Sequence, residues 1–305
     1  MQCCYESLSE NLKPANPSDD KPFGLVKRKI MINMEQPVVY REYGNKDGQL
    51  VVYFHGAPGA MEECAVFDRY ANDHNLHIVC FDRFALDSSL SREDYFHHLV
   101  VQIESLAGGK QADIIGFSIG TYIALEVAAL LKEQVRQIHL VSSVAPLYSG
   151  DFLDHMAGGL VFKLAMRKPS IFSLLTQFQS MIARLVPSML VNMLFATAAG
   201  KDKALIQQTD FKTYITGVLK QCFKYRAKGY IRDISCYVEW HEAKEYSASI
   251  QLWHGTEDNW SPPAMADSLA NTITSNVCVE KMKGLSHYSC LYEAAPKICA
   301  QLTKG

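Results

Sequence analysis

Ser118 stands in the middle of Gly116-Phe117-Ser118-Ile119-Gly120, a pattern that presents a hydroxyl at the tip of a strand-to-helix corner. The four residues Ala112-Asp113-Ile114-Ile115 before it read as a short buried strand. Residues 121–131 after it are apolar on nearly every face, with Glu126 their only charge. A nucleophile at such a corner sits in a strained backbone conformation, so small residues are needed on both flanks, where side chains would strike neighbouring backbone. Glycines at 116 and 120 meet that need. The chemistry would be attack of the hydroxyl on an electrophilic carbonyl, for which a base must take the proton. Because Gly-x-Ser-x-Gly also arises by chance, the surrounding elements have to carry the argument.

Those elements alternate. Residues 24–33 and 38–43 read as two strands, and Gly44-Asn45-Lys46-Asp47-Gly48 is a turn by composition. Residues 50–54 are a continuous apolar run, as in a strand covered on both faces, and they end in His55-Gly56-Ala57-Pro58-Gly59. A helix over 61–74, a strand over 76–81 and a helix over 92–106 follow; the last is opened by Ser91 with Asp94 three residues on. After the strand leading to Ser118 come a strand over 138–141 and then about a hundred residues of helical pattern. The alternation resumes with strands at 249–253 and 277–280, a helix opened by Ser261-Pro262-Pro263, and a final helix over 288–302. This order predicts an α/β protein with a mostly parallel, doubly wound sheet. The expected organisation is a flexible lead-in over 1–22, a core from 23–145 and 247–305, and an inserted helical cap over 146–246.

Composition narrows the function. The 305 residues are 48% hydrophobic and 20% charged with a net charge of -2, an ordinary globular balance with no pull of the whole chain toward nucleic acid. Nine cysteines without a C-x-x-C pair point to reduced thiols in a cytoplasmic compartment. The longest uncharged runs, 169–183 and 185–200, are shorter than the roughly 20 residues of a membrane span. No H-E-x-x-H, G-x-G-x-x-G or P-loop is present, so neither a metal nor a nucleotide cofactor is implied.

Four motifs, in order and in context, make residues 38–302 resemble the α/β-hydrolase superfamily. They are His55-Gly56-Ala57-Pro58-Gly59 after a central strand, the Ser118 pentapeptide, Gly255-Thr256-Glu257-Asp258 after a late strand, and Gly284-Leu285-Ser286-His287 near the end. The resemblance implies a Ser, acid, His order, which Ser118, Asp258 and His287 obey. His287 is then the base and Asp258 its orienting acid, with the adjacent Glu257 as competitor for that role. The tetrahedral oxyanion needs two N–H donors; the resemblance points to the amides of Ile119 and, since Pro58 has none, Ala57. His-Gly-x-Pro-Gly is similar to proline iminopeptidase-like members, but the chain after Phe81-Asp82-Arg83 continues to Ser89 without the glycines many relatives carry.

The implied activity is hydrolysis of an ester, thioester or lactone through an acyl-enzyme on Ser118. Acyl transfer or lyase chemistry on the same site, and a non-catalytic ligand-binding protein, are the alternatives. Five of the eleven methionines (Met156, Met166, Met181, Met189 and Met193) fall within 152–195, which suits either helix packing or an adaptable pocket for a small-molecule substrate with an apolar acyl or aromatic part. Residues 150–246 hold 13 Lys and Arg against 8 Asp and Glu. Four of these cations, Lys220, Lys224, Lys228 and Arg232, are four residues apart, which on one helix would make a basic stripe unless Gly229 ends or bends it.

Overall fold

The computed structural model describes residues 37–274 and 276–303. The expected lead-in and the expected strand over 24–33 lie outside the described residues. Seven strands form one sheet: β1 (Tyr40–Gly44), β2 (Gln49–Phe54), β3 (Leu76–Phe81), β4 (Ala112–Phe117), β5 (Val135–Val141), β6 (Ser249–Gly255) and β7 (Val277–Met282). Their order across the sheet is β1-β3-β2-β4-β5-β6-β7. Only β1 runs antiparallel to its neighbour.

The apolar runs explain the middle of this order. β4 is buried along its whole length, and β2 is buried at all but its first residue, as expected for strands with helices on both faces. Helices α1 (Asp68–Asp73), α2 (Arg92–Ala107) and α3 (Gly120–Leu131) flank the first half of the sheet. The predicted helix over 61–74 divides into a 3-10 segment, Met61–Phe67, and α1. Ser91 caps α2 by accepting from the Asp94 amide at 3.0 Å. Glu126, the lone charge of α3, is buried and pairs with Arg92 and Lys244, each at 3.4 Å.

Between β5 and β6 lie six helices: α4 (Gly159–Arg167), α5 (Pro169–Leu185), α6 (Pro187–Leu194), α7 (Asp202–Leu205), α8 (Thr209–Cys222) and α9 (Lys228–Val238). The basic stripe predicted here does not form. Tyr225, Arg226 and Ala227 take φ of 52°, 58° and 57°, so the chain kinks between α8 and α9 and four-residue spacing no longer marks one face. Arg232 is buried in an ion pair with Asp233, while Lys220, Lys224 and Lys228 remain exposed. Gly229 is not the bend. It lies inside α9, where a Cβ would fall 2.3 Å from Phe84 Cα, so it lets the helix approach the chain after β3. α10 (Pro263–Thr272) and α11 (His287–Leu302) complete the molecule.

Candidate active site

β4 ends at Phe117 and α3 begins at Gly120, leaving Ser118 and Ile119 to turn the corner. Ser118 has φ of 55°, in the left-handed region that a non-glycine residue occupies only under local constraint. The flanking glycines are required by contact. A Cβ on Gly120 would lie 2.0 Å from the Phe54 carbonyl oxygen, and one on Gly116 would lie 2.8 Å from Thr121 Cα. The Ser118 amide donates to the Val141 carbonyl at 3.0 Å, which ties the corner to the end of β5.

Asp258 follows β6 and is buried. Its Oδ1 accepts from the Trp260 and Ser261 amides, both at 2.9 Å, and its Oδ2 lies 2.8 Å from His287 Nδ1. Burial by itself would raise this carboxyl, but the His287 ring, the His254 ring and the Ser261 amide together bring it below its ordinary value, so it is ionised. Glu257, its sequence neighbour, is exposed and has only its backbone tied, by an amide bond to the Leu285 carbonyl at 2.9 Å. His254 lies 3.9 Å from Asp258 Oδ2 but directs Nε2 to the Ser261 carbonyl at 2.8 Å; its burial lowers its pKa and keeps it neutral.

His287 is the first residue of α11. That helix start is held from the segment between β5 and β6: the buried Asp202 carboxylate accepts from the Tyr288 amide at 3.0 Å and the Ser289 amide at 2.7 Å. A negative charge there satisfies two N–H groups with no partner inside the helix and complements its dipole. The imidazole is packed between Trp260, stacked at 5.1 Å, and Phe117 at 4.8 Å. With Nδ1–H donated to Asp258, Nε2 carries the lone pair a base needs. Ser118 and His287 make no hydrogen bond to each other; a base and a nucleophile are often far apart until substrate binds.

Ser118, Ala57, Ile119 and Ser261 line a cavity of about 360 Å³, walled by apolar residues of α4 and α6 with Tyr230 and Trp260. In the loop after β2, the Gly56 amide is already engaged by Glu63 Oε2 at 2.8 Å, whereas among the described residues no acceptor engages the Ala57 or Ile119 amide. The arrangement therefore brings together a constrained hydroxyl, a buried His–carboxylate pair and two cavity-lining residues with uncommitted amides. A larger cleft of about 690 Å³, lined among others by Arg92, Glu126 and Lys244, contains none of the predicted residues.

Several residues that shape this site carry no motif. Glu63 is buried and accepts from Tyr53 Oη at 3.1 Å as well as from Gly56. Arg83 is buried, donates through Nη2 to the His55 and Gly56 carbonyls at 2.9 and 3.3 Å, and donates through Nε to Asp233 at 2.7 Å. Arg83 alone of these lies in a stretch the sequence singles out, Phe81-Asp82-Arg83 at the end of β3, and there only for the glycine-free run that follows it. Glu63, Asp202 and Asp233 are apparent only from the fold. Among the described residues no group of three or more His, Cys, Asp or Glu could hold a metal ion.

A family profile described as lipid-droplet associated hydrolase matches residues 83–290, about two thirds of the chain. The chain belongs to that family. It is a hydrolase of the α/β-hydrolase type, and solved structures show the same fold at low identity. A putative non-heme bromoperoxidase from Mycobacterium tuberculosis H37Rv is 14% identical, with 88% of this chain and 94% of that one covered at a TM-score of 0.59. The enol-lactonase of Burkholderia xenovorans LB400 is 14% identical, covering 88% and 95% at 0.59. An esterase of Exiguobacterium antarcticum is also 14% identical, covering 88% and 96% at 0.60. No curated protein matches the sequence.

Proposed function

We propose that this hydrolase cleaves a carboxylic ester, thioester or lactone through an acyl-enzyme on Ser118. The observation that carries the reading is the buried 2.8 Å contact between Asp258 Oδ2 and His287 Nδ1, beside the corner that offers Ser118 to an apolar cavity. His287 Nε2 takes the Ser118 proton as Oγ bonds to the substrate carbonyl carbon, and Asp258 stabilises the imidazolium. The carbonyl oxygen gains negative charge and is met by the Ala57 and Ile119 amides. Collapse of the tetrahedral species returns the proton to the leaving group. Water, deprotonated by His287, then attacks the acyl carbonyl and releases the acid.

The cavity wall supports a substrate with an apolar acyl or aromatic part. Its residues Leu160 and Met193 also reach the outer surface, where they are 81% and 56% exposed. They join an apolar face that includes Leu174 at 68%, Phe178 at 55% and Leu185 at 74%. Between Asp154 and Asp202 there is no acidic residue, against five cations: Lys163, Arg167, Lys168, Arg184 and Lys201. In this reading the helices α4 to α6 are a cap whose outer side meets an anionic lipid surface from the water phase, consistent with the family's description. Among the described residues no helix is long and apolar enough to cross a membrane. The test is turnover of p-nitrophenyl esters of graded acyl length by the wild type and by Ser118→Ala. Acyl preference above four carbons with an inactive variant is expected; equal rates in both proteins would refute the reading.

A further inference from the structure

The loop after β2 is gripped from opposite sides by two buried side chains, Glu63 and Arg83. Glu63 Oε2 accepts from the Gly56 amide at 2.8 Å. The Gly56 carbonyl accepts from Arg83 Nη2 at 3.3 Å and from His55 Nδ1 at 2.8 Å. Desolvation, helped by the neighbouring Arg83 charge, holds the His55 pKa well below its ordinary value, and the 2.8 Å approach of Nδ1 to the Gly56 carbonyl places the ring hydrogen there. Arg83 Nη2 also holds the His55 carbonyl at 2.9 Å.

The consequence follows from peptide geometry. The Gly56 carbonyl and the Ala57 N–H belong to one planar unit, and this unit is trans. In a trans peptide those two groups point in opposite directions, so anchoring the carbonyl on Arg83 and His55 fixes the direction of the Ala57 N–H. Ala57 borders the cavity that Ser118 lines. The other end of Arg83 is fixed by α9, through Nε to Asp233 Oδ2 at 2.7 Å. Asp233 Oδ1 in turn takes Arg232 Nε at 3.3 Å and Nη2 at 3.2 Å, and Arg232 Nη2 donates back to the Arg83 carbonyl at 2.7 Å. Arg83 and Asp233 are almost completely buried, so water cannot replace these partners.

We infer that Arg83 and Glu63 are positioning residues that aim the Ala57 amide at the developing oxyanion, and that Asp233 makes this aim depend on the seating of α9. The inference rests on the serine-hydrolase reading above. It makes the inserted helices part of the machinery for transition-state stabilisation as well as part of the substrate wall.

The experiment uses the full chain with p-nitrophenyl butyrate and an acyl trifluoromethyl ketone, which forms a tetrahedral adduct on an activated serine. Arg83→Lys, Asp233→Asn and Glu63→Gln are each expected to lower kcat by about ten- to a hundredfold, less than outright loss of an oxyanion donor. KM should stay within about threefold, and affinity for the ketone should fall by the same factor as kcat/KM. The double variant Arg83→Met with Asp233→Asn removes both members of the Arg83–Asp233 pair, leaving Arg232 on the Arg83 and Leu86 carbonyls, so that neither member of that pair is left as an unpaired ion. It should be no slower than Arg83→Met alone if Asp233 acts through Arg83. Folded variants with lower Tm but wild-type kcat would reduce these residues to structural supports and overturn the inference. So would lower kcat with unchanged ketone affinity. Failure of the parent reading looks different: the wild type itself would neither turn over the ester nor bind the ketone.

Discussion

The surroundings of Ser118 and the outer side of α4 to α6 follow opposite rules. Around Ser118 the backbone is constrained and charged groups have several partners: Asp258 accepts from two amides and a ring, Asp202 from two amides, and Arg83 donates to two carbonyls and a carboxylate. On the outer helices, large apolar side chains face solvent, among them Leu174 and Leu185, and no acid lies between Asp154 and Asp202. Exposed large apolar side chains gathered on one helix, such as Leu174, Phe178 and Leu185 of α5, commonly mark a surface that something else covers. The difference separates two tasks. In the body, Asp258, Asp202 and Arg83 are each held by two or more partners, while on the outer side of α4 to α6 large apolar side chains stay exposed among the described residues. The methionines span both settings: Met156 is buried against the cavity, Met193 lines it while 56% exposed, and Met166, Met181 and Met189 are about half exposed.

The sharpest break in that comparison is at the serine. Ser118→Ala is expected to lower ester turnover by about 10⁶-fold with the fold retained, as read by initial rates beside circular dichroism. Asp258→Asn should cost about 10⁴-fold in kcat, because His287 loses the partner that sets its tautomer; a loss below tenfold would show that the pair is not catalytic. Glu63 offers a pH test on stability. Burial raises its carboxyl from 4.5 to about 7, against the pull of the Gly56 amide, the Tyr53 hydroxyl and the Arg83 charge. Between those pH values the folded state holds a proton that the unfolded state has released, so this group makes stability fall as pH rises from about 4.5 to about 7. The decline is on the order of 3 kcal/mol, and urea titrations of Glu63→Gln across this range should show it removed. The smallest effect belongs to the outer face. Leu174→Asp with Phe178→Asp should weaken adsorption to an anionic phospholipid-coated emulsion by at least about tenfold in flotation, while turnover of a short soluble ester stays within about twofold. Unchanged adsorption would leave the apolar face without the assigned partner.

The parts that were legible in the sequence are those written locally. The alternation of apolar runs with helical patterns gives the parallel sheet because its central strands, β2 and β4, are covered on both faces. The Ser118 corner is legible because a glycine on either side of one serine encodes a steric requirement within five residues. Asp258 and His287 could be named as candidates from short turns after β6 and β7, and their catalytic roles are the proposal made here. What could not be read is long-range or depends on backbone exceptions. Asp202 caps a helix that starts 85 residues later, and Asp233 meets Arg83 across 150 residues, with no periodicity linking either pair. The basic stripe failed because three consecutive non-glycine residues, Tyr225 to Ala227, take left-handed backbone, which interrupts a helix without any Gly or Pro at those positions.

Exposure of the purified protein and its Ser118→Ala variant to a fluorophosphonate, followed by intact mass measurement, tests the central claim most directly, since the reagent needs an activated serine but not the natural substrate. One adduct on the wild type and none on the variant is the predicted result. An adduct on both proteins, or none on folded wild-type protein that the reagent can reach, would contradict the assignment of Ser118 as the nucleophile.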